Sequence, residues 1–197
     1  MPSADANPLE PPQRRLLLAL ARKSIEHGLR EGRPIPLDPS DFPAVLAERR
    51  AAFVTLHERG ALRGCIGHLQ AIQPLVLDVA ENAFAAAFRD PRFPPLMEPE
   101  LADLAIEISV LSPSEPLTFS TEEELLQMIE PGRDGLILEA GNARGTFLPT
   151  VWESLPQPRD FLRHLKQKAG LRQDYWSDDI RISRYRTESF SEQELVN

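Results

Sequence analysis

The chain has 197 residues, of which 42% are apolar, and its formal net charge at pH 7 is -8. This length supports one large domain or two subdomains, and the acidic balance argues against indiscriminate binding to nucleic acid or to anionic membranes. A single cysteine excludes an internal disulfide and favours a reducing compartment. We find neither a signal-peptide pattern nor an apolar run of membrane-spanning length, so the sequence predicts a soluble, cytoplasmic protein without a membrane partner.

Helices and hairpins are mixed in the first half of the chain. An amphipathic helix is predicted over about 13–30, and a buried strand over 51–57. Turn residues at 58–60 then predict a hairpin, whose second strand covers about 61–66. A helix opened by Pro74 follows, and it is apolar over an unusually wide arc, which indicates burial on two sides.

The second half of the chain continues the mixture. We predict a strand at 104–111, a short helix at 120–129, a hairpin of 135–139 with 144–148, a helix at 158–169 and a final strand at 180–187. Because there is no steady strand-helix-strand repeat, the expected class is α+β, with mostly antiparallel sheets and packed helices. We expect a flexible lead at 1–12, one domain at 13–192 and a tail at 193–197.

The single cysteine has unusual neighbours in the sequence. Cys65 stands between Gly64 and Gly67, two residues after Arg63 and three before His68. Glycines allow the backbone to bend and a ligand to approach, while guanidinium and imidazole groups favour the thiolate form of a cysteine. One interpretation is therefore a nucleophilic thiol with His68 or His57 as its base. The other is a small apolar core residue whose glycines serve hairpin geometry.

Other chemistries have weaker support. The four histidines and Cys65 show no paired metal-ligand spacing, so we predict neither a metal site nor a cofactor. Gly64 and Gly67 lack the lysine and the helix start that follow in a phosphate-binding loop. Three arginines at 181, 184 and 186 leave nucleic-acid binding as a weak third hypothesis, against the acidic total.

Several motifs occur together along the chain. They are LRGCIG at 62–67, DPRFPP at 90–95, SVLSP at 109–113 with EPL at 115–117, GLI at 135–137, RGTFLP at 144–149, and the segment 164–171 from HL to KAGL. Their order is typical of the AMMECR-type domain family, whose bacterial and archaeal members are called AmmeMemoRadiSam system protein A. The resemblance covers about 13–192 and implies an α+β fold of two subdomains, with the Arg-Gly-Cys motif lining a cleft between them.

The resemblance also implies site residues and partners. Carried over to this chain, the candidate site comprises Arg63, Gly64, Cys65 and Gly67, with Arg92 and Arg144 as positive groups and Glu107 as a carboxylate. His68 stands where threonine is common in other branches of the family, and Thr150 where glutamine is frequent. Genes of the family often lie beside those of a Memo-type protein and a radical SAM enzyme, so these two are the expected partners in a modification pathway.

Two classes of function follow. In the first, the chain is an enzyme or an enzyme subunit: the Cys65 thiol is a nucleophile or a hydrogen-atom donor, and the arginines orient an anionic small molecule such as a carboxylate, a phosphate or a nucleotide. In the second, the chain is a non-catalytic binding or scaffolding module for a partner protein or a small molecule. Arg92 and Arg144 then form structural ion pairs with Asp90 or Glu107.

Overall fold

The computed structural model describes residues 8–194, so parts of the predicted lead at 1–12 and tail at 193–197 lie outside the described range. The chain divides into two compact units. The first comprises the described residues up to Leu111 together with those from Glu188 onward, and the second comprises Ser112–Thr187. Between residues 8 and 194, no helix has the length and apolar character needed to cross a membrane.

Helices and strands are mixed along the described range, as the pattern predicted. The helices are α1 (Pro11–Glu31), α2 (Ala44–Ala47), α3 (Leu75–Phe88), α4 (Glu122–Met128) and α5 (Pro158–Lys168). The strands are β1 (Ala52–Glu58), β2 (Ala61–Gly67), β3 (Leu104–Leu111), β4 (Glu115–Pro116), β5 (Gly135–Ala140), β6 (Ala143–Phe147), β7 (Arg181–Tyr185) and β8 (Thr187–Ser191).

The first sheet has the strand order β2-β1-β3-β8, and β1 runs antiparallel to both β2 and β3. One face of this sheet is buried with α1 and α3 in a single apolar core, to which Val54, Leu56, Ile106 and Ile108 contribute. Helix α3 contacts α1, β1 and β2, which explains the width of its apolar arc. Its alanines let the strands come close to the helix.

The second sheet has the order β4-β7-β5-β6, and its pairs β4/β7, β5/β7 and β5/β6 are antiparallel. Its apolar core includes Leu138, Trp152, Phe161 and Ile182. The ring of Trp152 stacks on Phe161 with 3.8 Å between the centroids, and its Nε1 donates to the carbonyl oxygen of Asp134 at 2.7 Å. Through these two contacts, Trp152 holds the loop before β5 against α5.

The α+β class with antiparallel sheets is confirmed. One predicted element is wrong. The single final strand expected at 180–187 is two strands on either side of Arg186: β7 in the second sheet and β8 in the first. Strand β8 has little apolar alternation, because Phe190 is its one large apolar residue. It is held instead by tertiary contacts, among them a 2.8 Å hydrogen bond between the hydroxyls of Ser109 and Ser189.

Candidate functional site

Cys65 lies on β2, at the edge of the first sheet. It pairs with Thr55 on β1, which in turn pairs with Glu107 on β3. Because successive side chains alternate between faces and Ile66 packs against the core, Cys65 points to the face away from the helices. The Thr55 hydroxyl donates to Cys65 Sγ at 3.3 Å. The half-buried Cys65 thiol is therefore oriented by the Thr55 hydroxyl, and Glu107 belongs to the same row of cross-strand partners.

The loop after α3 holds the backbone of Cys65. The side chain of Asp90 is 1% exposed, and its Oδ2 accepts the Cys65 N–H at 2.9 Å, while Oδ1 accepts the Arg92 N–H at 3.1 Å. The Arg92 guanidinium donates to both carboxylate oxygens, at 2.9 Å from Nε and 2.7 Å from Nη2. These bonds, led by those from the guanidinium, hold the pKa of Asp90 well below its usual range.

The DPRFPP motif explains why this loop is stiff. Pro91 disfavours the helical conformation at Asp90, so α3 ends at Phe88. The loop is closed by a hydrogen bond from the Leu96 N–H to the carbonyl oxygen of Ala87 at 2.8 Å. As a result, the loop keeps the Asp90 carboxylate in position beside β2.

Arg92 remains accessible although it is paired. Its side chain is 53% exposed, and Nη2 lies 3.4 Å from the carbonyl oxygen of Cys65. Hydrogen bonds occupy Nε and Nη2, while Nη1 has no partner within residues 8–194. The Arg92 guanidinium carbon also lies 5.5 Å from the centroid of the Phe93 ring, which supports the side chain from one side. An anionic group can therefore reach this guanidinium next to Cys65.

Arg63 is far less accessible. Its side chain is 8% exposed, its Nε donates to Glu100 Oε1 at 2.7 Å, and its Nη2 donates to the carbonyl oxygen of Pro94 at 2.9 Å. The hydrogen bond from Arg63 lowers the pKa of Glu100. Nη1 is buried and has no partner among the described side chains and backbone groups. The main effect of Arg63 is to tie β2 to the segment after the proline-rich loop.

His68 belongs to a separate polar cluster at the end of β2. Its Nδ1 lies 2.6 Å from Oδ1 of the buried Asp78 on α3, whose Oδ2 accepts the Ala52 N–H at 2.9 Å and Asn82 Nδ2 at 3.0 Å. Burial raises the pKa of Asp78, against the opposing effect of the hydrogen bonds from His68 and Ala52. Since Nδ1 faces a carboxyl group, the neutral imidazole keeps its proton there and presents Nε2 as an acceptor.

The two glycines of the motif are needed for close packing. A Cβ added at Gly64 would lie 2.2 Å from the carbonyl oxygen of Ala86 in α3. A Cβ at Gly67 would lie 2.4 Å from the ring of Phe53. Real Cβ atoms do not come this close to other atoms, so β2 needs glycine at both positions to lie where it does.

The predicted site residues therefore fall into distinct groups. Cys65 and Arg92 are in contact through the Cys65 backbone, and Glu107 is two strands away from Cys65 in the same row of the sheet. The imidazole of His68 forms no hydrogen bond with the Cys65 thiol. Arg144 is on β6 of the second unit, where its Nε lies 3.4 Å from Glu139 Oε1. No group of three His, Cys, Asp or Glu side chains in residues 8–194 is arranged to hold a metal ion.

Sequence reasoning did not select several side chains that build these groups. They are Thr55, Asp78, Asn82 and Glu100. A signal existed for the pair on α3, because two polar residues four apart on an otherwise apolar helix are buried and must find partners. For Thr55 there was none, because strand register decides which residue faces the thiol.

Comparisons with known proteins agree with this architecture. The family model described as AMMECR1 matches residues 18–190. A protein of Methanothermobacter thermautotrophicus is 40% identical over 191 residues, covering 94% of this chain and 97% of the relative. A protein of Thermococcus gammatolerans is 43% identical over 188 residues, covering 90% and 89%. The crystal structure of an uncharacterized protein from Pyrococcus horikoshii aligns with a TM-score of 0.82 at 38% identity, over 90% of each chain.

Proposed function

Because the chain belongs to the AMMECR1 family, as its motifs predicted, we propose that it is a component of a modification pathway shared with a Memo-type protein and a radical SAM enzyme. In this pathway Cys65 and Arg92 form a site for an anionic substrate, such as a carboxylate, a phosphate or a nucleotide. The association of family genes supports the choice of partners. The contacts around Cys65 support the choice of substrate class.

The observation that carries the proposal is the exposed guanidinium of Arg92 beside Cys65. Asp90 accepts hydrogen bonds from Nε and Nη2 of Arg92, so Nη1 of the same guanidinium is available to a ligand. An anion bound there lies near Cys65, because Nη2 of the same planar group is 3.4 Å from the carbonyl oxygen of that residue. A planar guanidinium held by a carboxylate is pre-organised to bind a carboxylate or a phosphate.

Three further groups contribute to the proposed site. Thr55 orients Cys65 Sγ through its hydroxyl, and Glu107 follows in the same row. Neighbouring strands are about 4.8 Å apart, so thiol, hydroxyl and carboxylate succeed one another across three strands. His68, hydrogen-bonded to Asp78 through Nδ1, presents Nε2 at the exit of β2 and serves as a base for a ligand that extends along the strand.

The test is deletion of the gene, followed by mass analysis of the small molecules and peptides that change. Complementation compares the unmodified chain with Cys65→Ser and Arg92→Gln. Arg133→Gln is the matched control, since Arg133 is an exposed arginine paired with Glu130 in the second unit. We expect both site variants to lose the product and the control to keep it. Full product formation by Cys65→Ser contradicts the catalytic proposal, and a deletion that changes nothing contradicts the pathway.

A scaffolding function has one specific observation in its favour. The charges of Arg63 and Arg92 are both compensated inside the chain, by Glu100 and Asp90, so the two pairs fix the edge strand β2 without any ligand. If the chain only presents this surface to a partner, Cys65→Ser keeps the pathway product. Co-purification with the Memo-type protein or the radical SAM enzyme is then weakened by Arg92→Gln but not by Cys65→Ser.

A further inference from the structure

The second unit contains a cavity built entirely from its own residues. It lies between the start of α4, one side of α5 and the segment after α5, and its volume is about 940 Å³. That volume is within the range of small-molecule sites. Its lining includes Glu122, Glu123, Arg159, Arg163, Arg172 and Trp176. None of these residues belongs to the candidate site around Cys65.

Part of the charge in this lining is compensated internally. Lys166 is 0% exposed, and its Nζ donates to Glu122 Oε2 at 2.7 Å. Arg172 donates to both carboxylate oxygens of Asp174, at 3.0 Å from Nε and 2.8 Å from Nη2. These four residues form two closed pairs, so they require no charged ligand.

Two arginines of the lining have no close ion pair within residues 8–194. Arg159 and Arg163 are one helical turn apart on α5 and face the same side. Arg159 has no hydrogen-bond or ion-pair partner in the described part of the chain. Arg163 has one distant ion-pair partner there, since its Nη1 lies 3.9 Å from Oδ1 of Asp160. Among the acidic residues of the lining, Glu122 and Asp174 belong to the two internal pairs and Glu123 does not. Arg159 and Arg163 therefore present guanidinium nitrogens that no carboxylate of the described residues approaches closer than 3.9 Å, and such groups suit an anionic ligand.

Trp176 gives the cavity an aromatic surface of fixed orientation. Its ring centroid lies 5.8 Å from that of Phe119, and Lys166 Nζ lies 5.5 Å from the Trp176 ring centroid. The indole is thus held from inside the unit, while the half-buried side chain still lines the cavity. A fixed, partly exposed indole is a stacking surface for a planar ring.

We propose that this cavity binds an aromatic molecule that carries a phosphate or a carboxylate group. The ring stacks on Trp176, the anionic group bridges Arg159 and Arg163, and Glu123 accepts an N–H or O–H of the ligand. This site is independent of Cys65 and of the reaction proposed for it, so either can fail without the other.

Tryptophan fluorescence of the full chain tests the proposal. The chain has two tryptophans, and Trp152 is buried in the core, so a ligand in the cavity quenches Trp176. The probes are AMP and phenyl phosphate, compared with adenosine, which lacks the anion, and with inorganic phosphate, which lacks the ring. We expect saturable quenching by at least one aromatic phosphate, with about tenfold weaker binding of each incomplete probe.

Variants identify the residues that bind the anion. The double variant Arg159→Gln and Arg163→Gln should weaken binding of the aromatic phosphate about tenfold, whereas Arg133→Gln, at an exposed arginine of the same unit, should not change it. Circular dichroism checks that the double variant is folded. The proposal is overturned if neither aromatic phosphate quenches at about 10 mM, if adenosine binds as well as AMP, or if the folded double variant binds as the unmodified chain does.

Discussion

Substitution of Asp90 by asparagine perturbs the hydrogen bonds that hold Cys65. The variant keeps the shape of the side chain but has one acceptor oxygen instead of two. Its amide NH₂ then faces either the Cys65 N–H or the Arg92 guanidinium, which are both donors. Asp90 is almost fully buried, so water cannot replace the lost acceptor.

The expected loss of stability follows from these contacts. A buried donor without an acceptor costs about 1–3 kcal/mol, and a hydrogen bond to a charged group contributes about 1.5–3 kcal/mol. Half of the Arg92 side chain is exposed, which reduces the share of its ion pair to about 0.2–1 kcal/mol. We expect Asp90→Asn to lower the free energy of unfolding by about 1–4 kcal/mol in sum.

Urea unfolding measures this loss, and amide hydrogen exchange locates it at Cys65. Asp174→Asn is the matched control, because Asp174 is an exposed carboxylate in an ion pair with Arg172, and we expect it to leave the unfolding midpoint unchanged. If Asp90→Asn has the same midpoint as the unmodified chain and Cys65 exchanges no faster, the inferred role of Asp90 is refuted.

The same substitution has a pH signature. The pKa of Asp90 is lower in the folded chain than in the unfolded chain, so its contribution to stability is fully present above about pH 4. The contribution is lost as the pH falls further, towards the depressed pKa of the folded state. The difference in unfolding free energy between the unmodified chain and Asp90→Asn should therefore be constant near neutral pH and shrink below about pH 4.

Three further substitutions test neighbouring contacts. Gly64→Ala places a Cβ against the α3 backbone and should destabilise the chain by about 1–3 kcal/mol in urea unfolding. Asp78→Asn should abolish the preference of the His68 proton for Nδ1, seen by nitrogen NMR of the imidazole; a proton on Nε2 in the unmodified chain contradicts that assignment. Thr55→Val should slow alkylation of Cys65 about threefold, as one hydrogen bond to sulfur is lost, and an unchanged rate argues against an orienting hydroxyl.

Local patterns predicted much of the fold. The alternation of apolar residues placed β3 at 104–111, and the turn residues at 58–60 predicted the hairpin of β1 and β2. Both are properties of a few consecutive residues. Strand β8 was missed because its place in the first sheet depends on residues about 80 positions away, such as the partner hydroxyl on β3.

The candidate site was predictable in its location but not in its contacts. The sequence predicted Cys65 on the second strand of a hairpin and Arg92 in a proline-rich segment, and the structure has β2 and the loop after α3 at these positions. The pair of Arg92 with Asp90, two positions away, was among the predicted alternatives, whereas the partner of Arg63 depends on tertiary geometry: it is Glu100, 37 positions away. Pairing between distant positions leaves no local signal in one sequence.

The most direct test of an anion-binding thiol site is the rate at which Cys65 reacts with iodoacetate, which is negatively charged, relative to neutral iodoacetamide. Cys65 is the only cysteine, so every alkylation event reports on this site. The chain as a whole is acidic and repels iodoacetate, which makes any preference for it a local effect. We expect the iodoacetate-to-iodoacetamide ratio to fall about threefold or more in Arg92→Gln and to stay unchanged in Arg133→Gln. An equal ratio in all three proteins, or a native thiol that reacts with neither reagent, would contradict the proposed site.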